Sequence, residues 1–226
     1  MSERFTCLIR TKQDLCDAVR RFGIVPLFRN AVTGFSVEEH VAPEAWFTDE
    51  EGVWEWKGPV IRETGCAYGK FFGHKAVFIS AEWYPDFVNW RRDGYDFEGW
   101  YDDGLVTLEE KRIYDEIAAS GSIPSKLLKR MLNYRKGGNR GFDGAINNLQ
   151  ANGYVLISDF VYETDRFGRS YGWGVAVYST PEMQFGEAFA ETVGERTPQQ
   201  SRARIFSHRT ELMPDADPQK VDRFLR

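Results

Sequence analysis

Apolar side chains recur at three- and four-residue steps in some stretches of this chain and at two-residue steps in others. Leu15, Ala18, Val19 and Phe22 fall on one face of a helix running from Thr11 to Phe22. Gly23 ends it, and Pro26 keeps the following segment extended. Ser36 with Glu39 has the spacing of a capping box. The stretch 53–80 leaves its elements open: Val53–Lys57 alternates, while Ala67–Phe72 and Lys75–Ser80 flank Gly73-His74 as a hairpin. Ala81 to Asp93 reads as helical with Pro85 in its first turn.

From Leu105 the pattern is more regular. Thr107 with Glu110 caps a helix whose apolar face carries Ile113 and Ile117 and which Gly121 ends. Pro124 starts a second helix with Leu127, Leu128, Met131 and Leu132, and Phe142 to Asn152 forms a third that closes at Gly153. Val155, Ile157, Phe160 and Tyr162 then run to a polar tip at Asp165–Gly172, and Trp173, Val175, Val177 and Tyr178 return. Three helices followed by a two-stranded wing predict a winged helix-turn-helix. After it, Thr197-Pro198 with Gln200 and Asp217-Pro218 each start a helix of a tail poor in large apolar residues. The expected fold is α+β: an aromatic-rich region over 1–104, a winged helix-turn-helix over 105–180 and a helical tail over 181–226. Gly104 is the softest boundary, and no repeat or low-complexity tract interrupts the chain.

Composition narrows the class. The 226 residues are 42% hydrophobic and 28% charged, ordinary for a folded protein, and the 15% aromatic share supplies a core without disulfides. Cys7, Cys16 and Cys66 are scattered, which argues against a disulfide framework or structural zinc and fits a reducing cytoplasm. No run approaches the ~18 apolar residues of a membrane span, so a membrane partner is not expected. The net charge of −5 is unevenly spread: residues 1–104 hold 12 Lys and Arg against 18 Asp and Glu, whereas 105–180 hold 10 against 8. The least acidic part is therefore the predicted winged helix, as nucleic-acid contact requires.

The candidate contact residues lie there. Lys126, Lys129, Arg130, Arg135, Lys136 and Arg140 form a basic run that no acidic residue interrupts, with Gly137-Gly138 read as a mobile turn. In a winged helix this run lies beside a phosphate backbone, with Arg166 and Arg169 at the wing tip reaching an adjacent groove. An ordinary solvated surface competes with that reading on nearly equal terms. The third helix directs Asn147 and Asn148 outward, able to meet adenine edges, but offers no Arg or Lys for guanine. Shape recognition, or a protein contact, therefore fits better than base readout.

Residues 89–104 mix Trp90, Tyr95, Phe97, Trp100 and Tyr101 with carboxylates and two arginines. Packing accounts for this better than a stacking pocket. Asp96, between Tyr95 and Phe97, is the carboxylate placed for partial desolvation, although an ion pair with Arg91 or Arg92 is the weightier reading. His40, His74 and His208 are far apart, without metal-ligand spacing. Hydrolase, P-loop and dinucleotide motifs are missing, so no cofactor is expected.

The winged-helix stretch, through Leu108–Tyr114, Phe142–Leu149 and the wing from Val155 to Tyr178, resembles the bacterial AlkZ-type winged-helix DNA glycosylases. Trp54–Lys57, Tyr68–Phe72, Phe78–Ser80 and Arg91–Asp96 look like a shorter AlkZ-related group. The resemblance implies the module and nucleic-acid affinity. Those glycosylases hold the attacking water with a Q-x-Q pair, and none occurs here: Gln13, Gln150, Gln184 and Gln219 are isolated and Gln199-Gln200 adjacent. No catalytic residue carries over. The expected function is nucleic-acid contact, with double-stranded DNA as partner. The alternatives are a divergent glycosylase acting on damaged bases and a protein-interaction module.

Overall fold

The computed structural model describes residues 4–46, 48, 51–164, 166 and 170–225. Helix α1 (Lys12–Phe22) opens with Thr11, whose side chain accepts from the Asp14 amide while the Asp14 carboxylate accepts from the Thr11 amide. It ends at Gly23, where φ is +69°, and leads into strand β1 (Ile24–Pro26). Short helices α2 (Val37–His40) and α3 (Pro43–Trp46) follow, then α4 (Val53–Thr64). At α2 the Ser36 hydroxyl donates to Glu39, whose other oxygen accepts from the Gly34 amide, so the capping box expected there is not formed.

Helix α4 replaces the alternation read at Val53–Lys57. Val53, Trp56, Val60 and Ile61 are buried at helical spacing, and Glu55 accepts from the Gly52 amide at 3.0 Å to close the first turn. The helix continues through Pro59, which obscures its period in the sequence. The hairpin of β2 (Ala67–Phe72) and β3 (Lys75–Ile79) lies where the pattern places it. Helix α5 (Tyr84–Arg92) carries Pro85 in its first turn, and α6 (Phe97–Asp102) precedes the second half of the chain.

That half runs α7 (Leu108–Ser120), β4 (Ser122–Pro124), α8 (Ser125–Met131), α9 (Phe142–Ala151), β5 (Leu156–Thr164) and β6 (Ser170–Ser179). Pro124 is the N-cap of α8, so the second helix starts where the sequence places it, and Ser122–Pro124 also pair with Ser179–Val177 as a strand that the pattern does not predict. Four helices complete the chain: α10 (Pro181–Phe185), α11 (Ala188–Gly194), α12 (Pro198–Leu212) and α13 (Pro218–Leu225). No helix among the described residues is long and apolar enough to cross a membrane.

Among the described residues the strands form one antiparallel sheet in the order β1-β3-β2-β5-β6-β4, so the α+β class holds. The core runs through both halves, and stacked rings join them. Phe97 lies 3.6 Å from Tyr114, and Trp100 lies 4.8 Å from Tyr154, centroid to centroid. Such pairs add about 0.5–1.5 kcal/mol each beyond the area they bury. Trp90 and Trp100 are half-buried against this core.

Two polar contacts fasten the outer helices. Asp86 on α5, only 2% exposed, accepts from Ser201 at 2.7 Å and pairs with Arg204, both on α12. The Asn89 amide donates to Ser201 Oγ at 2.9 Å and to the Arg196 carbonyl at 2.7 Å. On the other side, the Lys57 ammonium of α4 lies 4.9 Å from the Trp54 ring and 4.5 Å from the Phe160 ring of β5. Burial there drives its pKa down to about 8.

Asp86→Ala is expected to destabilise the protein by about 3 kcal/mol, the low end for breaking a buried pair because Arg204 keeps some solvent. Urea unfolding of both proteins checks this, and an unchanged midpoint would remove Asp86 from the account. Lys57 gives a pH signature. Between about 8 and the ordinary lysine value of 10.5, the unfolded chain holds a proton that the folded one has released, so this group makes stability rise with pH. Stability measured from pH 7.5 to 10.5 should show that rise in the wild type relative to Lys57→Met; parallel curves would refute it.

Candidate nucleic-acid interface

The surface built by α7, α8, α9 and the loop between the last two gathers most of the expected contact residues. Helix α7 is closed by Thr107 and Glu110, and Glu110, 6% exposed, accepts from the Thr107 amide and hydroxyl at 2.8 Å each. Its other oxygen accepts from Asn148 Nδ2 at 2.6 Å, which ties α9 to the start of α7. Asn148 also accepts from the Asn152 amide group at 3.0 Å. Asn148 is thereby engaged within the fold, whereas Asn147 is half-buried beside it.

The α8–α9 loop is held by its own backbone. The amides of Tyr134, Gly138 and Asn139 donate to the carbonyls of Lys129, Arg135 and Asn133 at 2.7, 2.8 and 2.8 Å. Asn139 Nδ2 adds a bond to the Leu132 carbonyl at 2.9 Å. The glycines read as slack have a different role: a Cβ at Gly138 would stand 2.1 Å from the Asn133 carbonyl oxygen, so a close approach demands glycine there.

The basic run divides in two. Lys126 pairs with Glu163 on β5, and Lys129 pairs with Asp143 at 3.0 Å while its ammonium lies 4.6 Å from the Phe142 ring. These acids are remote in sequence, and they neutralise the α8 end of the run. Arg130, Arg135, Lys136 and Arg140 are exposed, and no ion pair engages them among the described residues. Arg135 donates to Asn133 Oδ1 at 2.9 Å, a neutral partner that leaves its charge uncompensated. Arg140 immediately precedes Gly141, the N-cap of α9, where φ is +90° and no side chain caps the first amides. Those amides and the helix dipole add positive potential at that end. Arg112 of α7 is exposed beside Tyr134, as is Glu109 of opposite sign. Arg112 is a neighbour that the linear run conceals, since only folding brings α7 against the loop. Arg166 is exposed at the hairpin tip, and Arg169 lies outside the described residues.

None of the carboxylates of 93–103 pairs with Arg130, Arg135, Lys136 or Arg140 among the described residues. Asp96 is exposed and caps α6, accepting from the Gly99 amide at 2.7 Å, so the expected desolvation is not found. Nor does it pair with the neighbouring arginines: Arg91 donates to the Leu225 carbonyl, and Arg92 donates to Glu182 at 2.6 Å and to the Gly153 carbonyl. Glu98 pairs with Lys111 at 3.1 Å, and Asp103 accepts from the Tyr95 hydroxyl at 2.8 Å. Cys66 is fully buried, which pushes its thiol up to about 12 and leaves it a poor nucleophile.

Compared with known families, residues 9–226 match the family described as AlkZ related. The chain belongs to the AlkZ-related family. No curated protein matches it. Among solved structures it is similar to the Streptomyces sahachiroi DNA glycosylase AlkZ, at 13% identity and a TM-score of 0.49. That alignment covers 90% of this chain and 52% of the other, so the chain spans about half the length of that protein.

Proposed function

We propose that residues 105–180 form a winged helix-turn-helix that docks on double-stranded DNA through the phosphate backbone. The order helix, strand, helix, helix, hairpin, with β4 closing against β6, supports the module. One observation carries the contact: Arg130, Arg135, Lys136 and Arg140 are exposed without an acidic partner among the described residues, and Arg140 precedes a helix N-terminus that no side chain caps. In a chain of net charge −5 such a group is the exception, and oriented amides next to guanidinium groups suit a phosphate oxygen. Membership of the AlkZ-related family is consistent with a DNA-related role.

Sequence-specific reading forms no part of the proposal. Asn148 is engaged by Glu110, and α9 carries no Arg or Lys, so base edges meet few donors. Backbone contact therefore sets orientation and affinity. Nor does the proposal contain a bond-breaking step: Asp96, Glu98 and Asp103 are committed to a cap, an ion pair and a tyrosine hydroxyl.

Four phosphate contacts predict a slope of about −3.6 in log affinity against log salt. Fluorescence anisotropy with a short labelled duplex should give that slope for the wild type. The quadruple variant Arg130→Glu, Arg135→Glu, Lys136→Glu, Arg140→Glu should bind no duplex while keeping its circular-dichroism spectrum. Lys126 and Lys129 are left in place because their acidic partners already offset them. Equal affinity of variant and wild type, or binding indifferent to salt, refutes the interface.

A further inference from the structure

Arg209, in the last turn of α12, is wholly buried, with 0% exposure. None of its three side-chain nitrogens has a hydrogen-bond partner among the described residues. Its guanidinium carbon lies 4.1 Å from the centroid of the Phe35 ring, which itself packs on Phe5 at 4.9 Å. Burial lowers its pKa only to about 10, so the group remains a cation at neutral pH. Asp86, another deeply buried charge, has a hydroxyl and two guanidinium groups around it, those of Arg204 and Arg196. Arg209 has a ring face, which offsets only part of the cost of leaving water.

A cavity of about 410 Å³ adjoins this position, lined in part by Phe5, Val32, Gly34, His40, Leu212 and Met213. The same two segments build both features. Leu212 stands three residues beyond Arg209 on its face of α12, Met213 is the C-cap that follows, and Val32–Gly34 lead directly into Phe35. Arg4 and Lys220 are also at the cavity, as are Asp215 and Asp217, and Arg4 pairs with Asp215 at 3.1 Å. The wall is thus apolar over much of its area; Arg209 is not part of it, and the Phe35 ring that covers its guanidinium packs on Phe5 of the lining.

We propose that this cavity binds a small organic carboxylate, with its apolar body among Phe5, Val32, Leu212 and Met213 and its carboxylate compensating Arg209. A guanidinium presents its N–H groups as a planar fork that matches two carboxylate oxygens. Inorganic phosphate and chloride share the charge but bring no apolar body to the wall. Arg209 lies behind the lining, so binding entails side-chain movement. Met213, half-buried and unbranched, is suited to yield.

Benzoate serves as the probe, titrated into the full chain against phosphate and chloride at equal ionic strength. Tm is expected to rise by roughly 5–10 °C at a concentration about 100 times Kd. One arginine Nε–H NMR signal, that of Arg209, should move with it. Both responses should vanish in Arg209→Met, a replacement of similar length that leaves no charge to compensate. An equal gain from phosphate or chloride, a gain that persists in the variant, or an unmoved Arg209 signal overturns the assignment. Should Arg209→Met fail to fold, the wild-type NMR titration decides alone.

Discussion

One hydrogen-bonded seam makes a single sheet of strands that lie far apart in the sequence. Between β2 and β5 the backbone register is a single pair, Tyr68 opposite Ile157. Beyond it a side chain takes over: Gln150 of α9, 1% exposed, accepts from the Lys70 amide at 3.1 Å and donates to the Ile146 carbonyl. A buried primary amide in this position satisfies an edge amide that would otherwise be orphaned. The arrangement also dictates Gly69, whose added Cβ would lie 2.9 Å from Gln150 Oε1 and 2.7 Å from the Phe71 ring. Because Gln150 belongs to α9, the helix that follows the cationic loop is held directly to the aromatic-rich half.

Much of the local structure was legible because its causes are local. The caps at Thr107 and Thr197, the stops at Gly23 and Gly121, and the β2–β3 hairpin each depend on residues within a few positions of one another. Two features resisted for opposite reasons. In α4 the period is clear only when followed past Pro59, a residue that ordinarily argues for a helix end. In β4 a three-residue strand carries too little pattern to announce itself, and its pairing with β6 is a matter of tertiary contact.

The candidate interface was legible as a run of cations, but its electrostatics were not. A linear scan finds no acid between Lys126 and Arg140, yet Glu163 and Asp143 offset the first two lysines across the fold. Similarly, Asn148 looks outward by helical arithmetic and is drawn aside by Glu110 from 38 residues away. Arg209 is the extreme case. Nothing in its neighbourhood along the chain distinguishes it from exposed arginines such as Arg202, and only packing against Phe35 reveals it as buried charge.

The outermost strands of the sheet carry a further consequence. β1 and β4 are each three residues long, and each ends in proline, Pro26 and Pro124. A proline offers no amide to a newcomer, and a three-residue border gives an arriving strand too short a ladder to hold. Both margins of the sheet are therefore poor templates for strand addition, whether by another copy of this chain or by an extended peptide. Such blunting matters most in a chain this rich in aromatic and β-branched segments, where an open border would invite fibrous self-association.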